Sequence, residues 1–209
     1  MPAEREPVVL VHGLWMNGVV MLPLARRLEA CGFAVTRHAY RSVSRGLREN
    51  ARELAVLCNR QAARLNLVGH SLGGLVIMTM LAEHAEIPVH RVVLLGSPYA
   101  DSAAARGMER FGWSRGALGR TVRDWLSQPR PEVPQGVELG VVAGDHSFGL
   151  GRLFVRLPAP NDGVVLLEET RVPGAKDSVV LPISHTAMLV SRAVAAAACA
   201  FLKTGRFKR

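Results

Sequence analysis

The chain lacks the features that mark several large protein classes. It has three cysteines in 209 residues, Cys31, Cys58 and Cys199, far apart and odd in number. No two have the spacing of metal ligands, so no metal is expected, and each sits in an apolar or helical context that suits a buried free thiol. Free thiols fit a reducing compartment. No apolar run reaches bilayer length. The longest near the end, AVAAAACAFL, is short and alanine-rich, so stable membrane insertion is not expected. The N-terminus, MPAEREPVVLVHG, enters a strand-like run within seven residues. That leaves no room for a secretory leader and points to the cytoplasm. Serine- and glycine-rich linkers and internal repeats are missing too, so residues 1–209 are expected to form one domain.

Acidic residues are the scarcer charge: 17 Asp and Glu face 26 Lys and Arg, for a net charge of +9. Such an excess invites a nucleic-acid reading. The arginines, however, are scattered from Arg5 to Arg209, and no basic run is interleaved with aromatics. The densest basic stretch, KTGRFKR, reads as a solvated tail. Nucleic acid is therefore not an expected partner; an anionic substrate or a lipid surface suits the charge better. With 49% hydrophobic and 21% charged residues, the composition is that of an ordinary globular chain with enough length for a core.

Apolar runs of strand length alternate with longer helical patterns. Strand candidates are residues 7–11, 33–40, 65–68, 91–95, 137–143 and 178–181. Helical spacing covers 19–30, 47–63, 72–85 and 189–202. Alternation of this kind implies an α/β fold, a mostly parallel central sheet with helices on both faces. Two segments break the rhythm. Residues 97–135 are rich in glycine and carry Phe111, Trp113 and Trp125, and 144–162 form a long loop. Such excursions are usually functional. A small cap within 98–135 is expected, with Trp113 touching substrate. The stripe Leu118, Val122, Trp125 and Leu126 is expected to pack a plain amphipathic helix on the sheet.

The chemistry concentrates in a few short motifs. Gly69-His70-Ser71-Leu72-Gly73 has the form GxSxG between a strand and a helix. A chain that turns this sharply holds its apex residue in a strained conformation above the sheet, and the glycines let strand and helix approach. Ser71 is then a candidate nucleophile. The N–H of Leu72, at the start of the helix, can stabilise an oxyanion. A second donor is needed, and the N–H of Leu14, just after His12-Gly13, is placed to supply it. Trp15 is then a pocket wall and His12 a brace for the loop.

A serine nucleophile also needs a base. His70 adjoins Ser71, but neighbouring side chains at such an apex diverge, and His84 and His90 flank a helix end and a strand start. His185 follows the last strand and so belongs to the same sheet edge as Ser71, which makes it the candidate base. The acid that orients it must come from another strand-end loop. Asp101, Asp145 and Asp162 all qualify by chain order, and geometry leaves Asp145 and Asp162 open.

These residues resemble the α/β-hydrolase family, in particular its small bacterial lipase and esterase branch. VHGLWMNG is similar to that branch's oxyanion loop, GHSLGG to its nucleophile elbow, NDGVV to its acid loop and SHTAML to its histidine loop. The resemblance implies a Ser71–His185–Asp162 triad, with Asp162 preferred to Asp145, and oxyanion donors at Leu14 and Leu72. It implies hydrolysis of carboxylic esters through an acyl-enzyme, with a small acyl ester or a lipid as partner and no cofactor. The same residues would serve a thioesterase or an acyltransferase; a non-catalytic binding protein on this fold is the reading of a different class. Little room for a large lid and no calcium site favour an esterase over a true lipase.

Overall fold

The computed structural model describes residues 5–61, 64–109, 115–148 and 157–208. Six strands alternate with helices along the chain: β1 (Pro7–Val11), α1 (Leu22–Ala30), β2 (Ala34–His38), α2 (Leu47–Cys58), β3 (Leu65–His70), α3 (Leu72–Glu83) and β4 (Val89–Leu95). Then come α4 (Ala103–Glu109), α5 (Arg115–Ser127), β5 (Glu138–Gly144), β6 (Asp177–Leu181) and α6 (Arg192–Thr204). The strands form one sheet in the order β2-β1-β3-β4-β5-β6, and every pairing is parallel. Parallel neighbours put all their C-terminal ends on one edge, so the loops after β1, β3, β4, β5 and β6 meet there.

Side chains alternate across the strands with period two and feed two apolar layers. Val9, Val11, Leu67, Val92, Leu94 and Leu139 join α2, α3 and Trp125 of α5 on one face. Val8, Leu10, Val68, Val93, Leu95 and Val142 join α1 and α6 on the other. The central strand β3 is buried along its whole length, as a strand covered on both faces must be. Each fully buried Leu or Val contributes about 1.5–3 kcal/mol.

Three expectations are corrected here. The helix expected over 47–63 ends at Cys58, where Gln61 turns back to donate its N–H to the Cys58 carbonyl at 2.9 Å. The Leu118–Val122–Trp125–Leu126 stripe does more than pack on the sheet's apolar layer, which Trp125 and Val122 join; its helix also packs against α2 and α4, and the stripe lines a cavity described below. Helical spacing reveals an apolar face but not which neighbour covers it. Most consequential, Cys31 and Cys199 are not free thiols. They form a disulfide between the end of α1 and the middle of α6, with the Cα atoms 6.4 Å apart, and only Cys58 remains a free, buried thiol. The two helices lie side by side on the same face of the sheet, a proximity that 168 residues of intervening chain conceal. Free thiols therefore no longer argue for a reducing compartment. No helix among the described residues is long and apolar enough to cross a membrane.

A crosslink closing so long a loop restricts the unfolded chain, with a stabilisation of about 5 kcal/mol by the loop-entropy estimate. Reduction with dithiothreitol, or Cys199→Ser, is expected to lower the thermal midpoint by roughly ten degrees. Identical melting curves with and without reductant would show that the bond adds no stability.

Candidate active site

The site is built around the end of β3. Ser71 sits between that strand and α3 with φ 53° and ψ −123°, a left-handed conformation rare for a residue with a side chain. Such an apex costs about 1–3 kcal/mol and persists only where its surroundings hold it. Here the Ser71 N–H donates to the Leu95 carbonyl at 2.9 Å, and the Gly74 N–H donates to the Ser71 carbonyl at 3.0 Å. The first turn of α3 lies directly on the end of β1, where a Cβ on Gly73 would collide with the carbonyl oxygens of Val11 and His12. That approach sets the loop after β1 beside the serine: a Cβ on Gly13 would stand 3.2 Å from the Cβ of Ser71.

The same loop is braced by His12. Its Nδ1–H donates to the Gly13 carbonyl at 2.8 Å, and its Nε2 accepts from the Tyr40 N–H at 3.4 Å. The Tyr40 hydroxyl donates to the His12 carbonyl at 2.9 Å, and the two rings stack with centroids 4.4 Å apart. Burial lowers the His12 pKa and favours the neutral ring that this pattern needs. Because a trans peptide is planar, holding the Gly13 carbonyl against the ring turns the Leu14 N–H away from it. Trp15, next in the chain, has φ 57°, donates its N–H to Ser42 Oγ at 3.3 Å and is 57% exposed.

His185 and Asp162 meet beside the end of β4. Asp162 Oδ2 accepts from His185 Nδ1 at 2.7 Å, which leaves Nε2 of the ring as the free acceptor. The other oxygen, Oδ1, accepts from the N–H groups of Val164 at 3.0 Å and Val165 at 2.8 Å. The Asp162 carbonyl takes the His185 N–H at 2.9 Å. Asn161 stiffens the turn, accepting from the Gly163 N–H at 2.8 Å and donating to the Pro158 carbonyl at 2.8 Å. Asp162 is 1% exposed, a burial that a carboxylate sustains only when hydrogen-bonded and paired. Asp145 follows β5 on the exposed surface, and Asp101 pairs with Arg106 at 2.8 Å.

Two contributors escape a reading of the sequence. Gly96, at the end of β4, has φ 54°, and a Cβ there would come within 3.1 Å of Asp162 Oδ2 and 3.2 Å of His185 Nδ1. A glycine closing the apolar run RVVLL is the one hint, and its partners come from loops the sequence cannot juxtapose. His70 is the second. Its side chain does not diverge from the site but donates from Nε2 to the His185 carbonyl at 3.1 Å, with the two rings 4.8 Å apart. Complete burial first, and the neighbouring His185 second, push its pKa down to about 3.

Ser71, His185, Leu14 and Leu72 all line one cavity of about 350 Å³. Its walls are apolar: Leu75 from α3, Ala104, Ala105 and Met108 from α4, and Leu118, Val122 and Trp125 from α5. Trp15 and Phe148, 57% and 72% exposed, also line it and so mark its mouth. Trp113 lies outside the described residues. Among the described residues no group of three or more His, Cys, Asp or Glu is arranged to hold a metal ion.

A family model described as the alpha/beta hydrolase family matches residues 8–203. No curated protein matches the sequence. Among solved structures, the chain is similar to a mature Bacillus licheniformis lipase, with a TM-score of 0.75 and 20% identity over 98% of this chain and 93% of that one. It is similar to a metagenomic carboxyl esterase, with a TM-score of 0.69 and 19% identity over 90% and 67% of the two chains. A pyrethroid hydrolase from Sphingobium faniae gives 0.67 and 16% over 96% and 98%. At these identities the likeness is one of fold.

Buried neutral histidines carry a pH consequence. Burial lowers His38 to about 4 and His70 to about 3, against 6.5 for an exposed ring. The unfolded chain therefore binds more protons below pH 6.5, and stability falls as pH drops from 6.5 towards 4. The thermal midpoint is expected to decline across that window. His38→Phe, which keeps the stack on Tyr40, is expected to shallow the decline; an unchanged slope would show that His38 does not contribute.

Proposed function

The chain belongs to the alpha/beta hydrolase family, and from that premise we propose that it is a serine hydrolase of carboxylic esters. The observation that carries the reading is the buried Asp162–His185 pair opening on the same apolar cavity as the strained Ser71. A lipase and a carboxyl esterase of the same fold support the substrate class. A cavity walled by leucine, valine, alanine and tryptophan favours acyl chains over charged groups.

In the proposed reaction Ser71 Oγ attacks the acyl carbonyl carbon and its proton passes to His185 Nε2. The carbonyl π pair moves to oxygen, and the resulting oxyanion rests on the N–H groups of Leu14 and Leu72. Asp162 holds the tautomer of His185 and stabilises the imidazolium. The tetrahedral adduct collapses, the C–O bond to the alcohol breaks, and His185 protonates the departing oxygen. Water, deprotonated by His185, then attacks the Ser71 ester and releases the acid. The neutral His70 adds no second positive charge beside the imidazolium. A small cap lies within residues 98–135, its α4 and α5 walling the cavity, and Trp15 lines the entrance.

Hydrolysis of p-nitrophenyl esters tests the reading. Ser71→Ala is expected to lower kcat about 10⁶-fold, and Asp162→Asn about 10⁴-fold, while Asp145→Asn stays near wild type. Equal rates for wild type and Ser71→Ala would refute a serine mechanism. Product analysis with thioesters and competing alcohols separates the ester hydrolase from a thioesterase or an acyltransferase.

A further inference from the structure

Glu169 is a buried carboxylate outside the proposed triad. It is 4% exposed and lies in the short turn Glu168–Thr170, after the acid loop. Its two oxygens are spent on two different parts of the cavity wall. Oε2 accepts from the Leu166 N–H at 2.8 Å, and Oε1 accepts from the N–H of Ala103, the first residue of α4. The Glu169 carbonyl also accepts from the Ala100 N–H at 2.9 Å. Leu166 closes the turn that carries Val164 and Val165, which line the cavity beside Asp162. Ala103 begins the helix that supplies Ala104, Ala105 and Met108 to the same cavity.

A carboxylate is expensive to bury and holds its place only through such hydrogen bonds. One that caps a helix would need a single oxygen for the purpose. This one holds two walls at a separation set by the width of a carboxyl group. Loss of either bond leaves a backbone N–H unpaired, and the wall it belongs to must move to find another partner.

We infer that Glu169 is a specificity-positioning residue: it fixes α4 against the Val164–Val165 turn and thereby sets which acyl chains the cavity accepts. The inference rests on the ester-hydrolase reading. Chain length is discriminated by contact with the apolar walls, each well-packed methylene improving transition-state binding several-fold. An acetyl group offers those walls one methyl and an octanoyl chain seven carbons. Releasing α4 therefore weakens octanoate selectively.

The test compares p-nitrophenyl acetate and octanoate for wild type, Glu169→Gln and Glu169→Ala, with thermal midpoints for all three. Glu169→Ala is expected to lower the octanoate-to-acetate ratio of kcat/KM by about tenfold, mostly through KM for octanoate, while acetate falls by no more than about threefold. Glu169→Gln keeps one acceptor oxygen and is expected to lie between. A ratio unchanged in the folded variants, or equal loss on both esters, overturns the inference. If Glu169→Ala does not fold, the ratio in Glu169→Gln decides. Wild type inactive on both esters would overturn the parent reading and this inference with it.

Discussion

The first turn of α3 rests on the end of β1 with no side chain between them, and the geometry of the site follows from that contact. Gly73 faces the carbonyls of Val11 and His12 where any Cβ would collide. The approach draws the loop of His12 to Met16 beside the Ser71 turn and places Leu14 and Leu72 around one cavity. It also demands the positive φ of Ser71, because the chain has to reverse from strand to helix in a single residue. The strain is small beside the burial of β3 between two apolar layers, so the sheet can hold it.

Around this contact the protein manages a dense buried polar cluster. His12, His38, His70 and His185 are all buried in a chain whose net charge is already +9. Several more positive charges here would be hard to accommodate. His38 and His70 are kept neutral by desolvation, and His12 is pushed the same way. Among the four, His185 is the one whose ring meets a carboxylate, and that carboxylate has its other oxygen filled by two backbone donors.

Much of this was legible in the sequence because it is local. The alternation of apolar runs with helical spacing specifies the α/β class, and GHSLGG specifies a strand, a turn and a helix within a few residues. What could not be read is what separate loops do to one another. Asp145 and Asp162 both come after β5, and chain order alone leaves both open; the resemblance of NDGVV favours Asp162, and the folded loops put it against His185 and leave Asp145 in solvent. Cys31 and Cys199 looked like isolated thiols because pairing depends on two helices packing side by side. Gly96 and Glu169 carry no local signal of the partners that the folded loops give them. Trp125 announced a buried helical face correctly, but not that the face walls a cavity.

The disulfide divides the molecule into two kinds of territory. It joins α1, which follows the loop of Leu14, to α6, which follows the loop of His185, and neither of these helices contributes a residue to the cavity lining. The cavity walls come from α3, α4 and α5 across the sheet. Substitutions in α4 and α5 can thus reshape the cavity while the stapled frame behind keeps Ser71, His185 and Asp162 in register. The lining and the frame that carries it are free to vary separately.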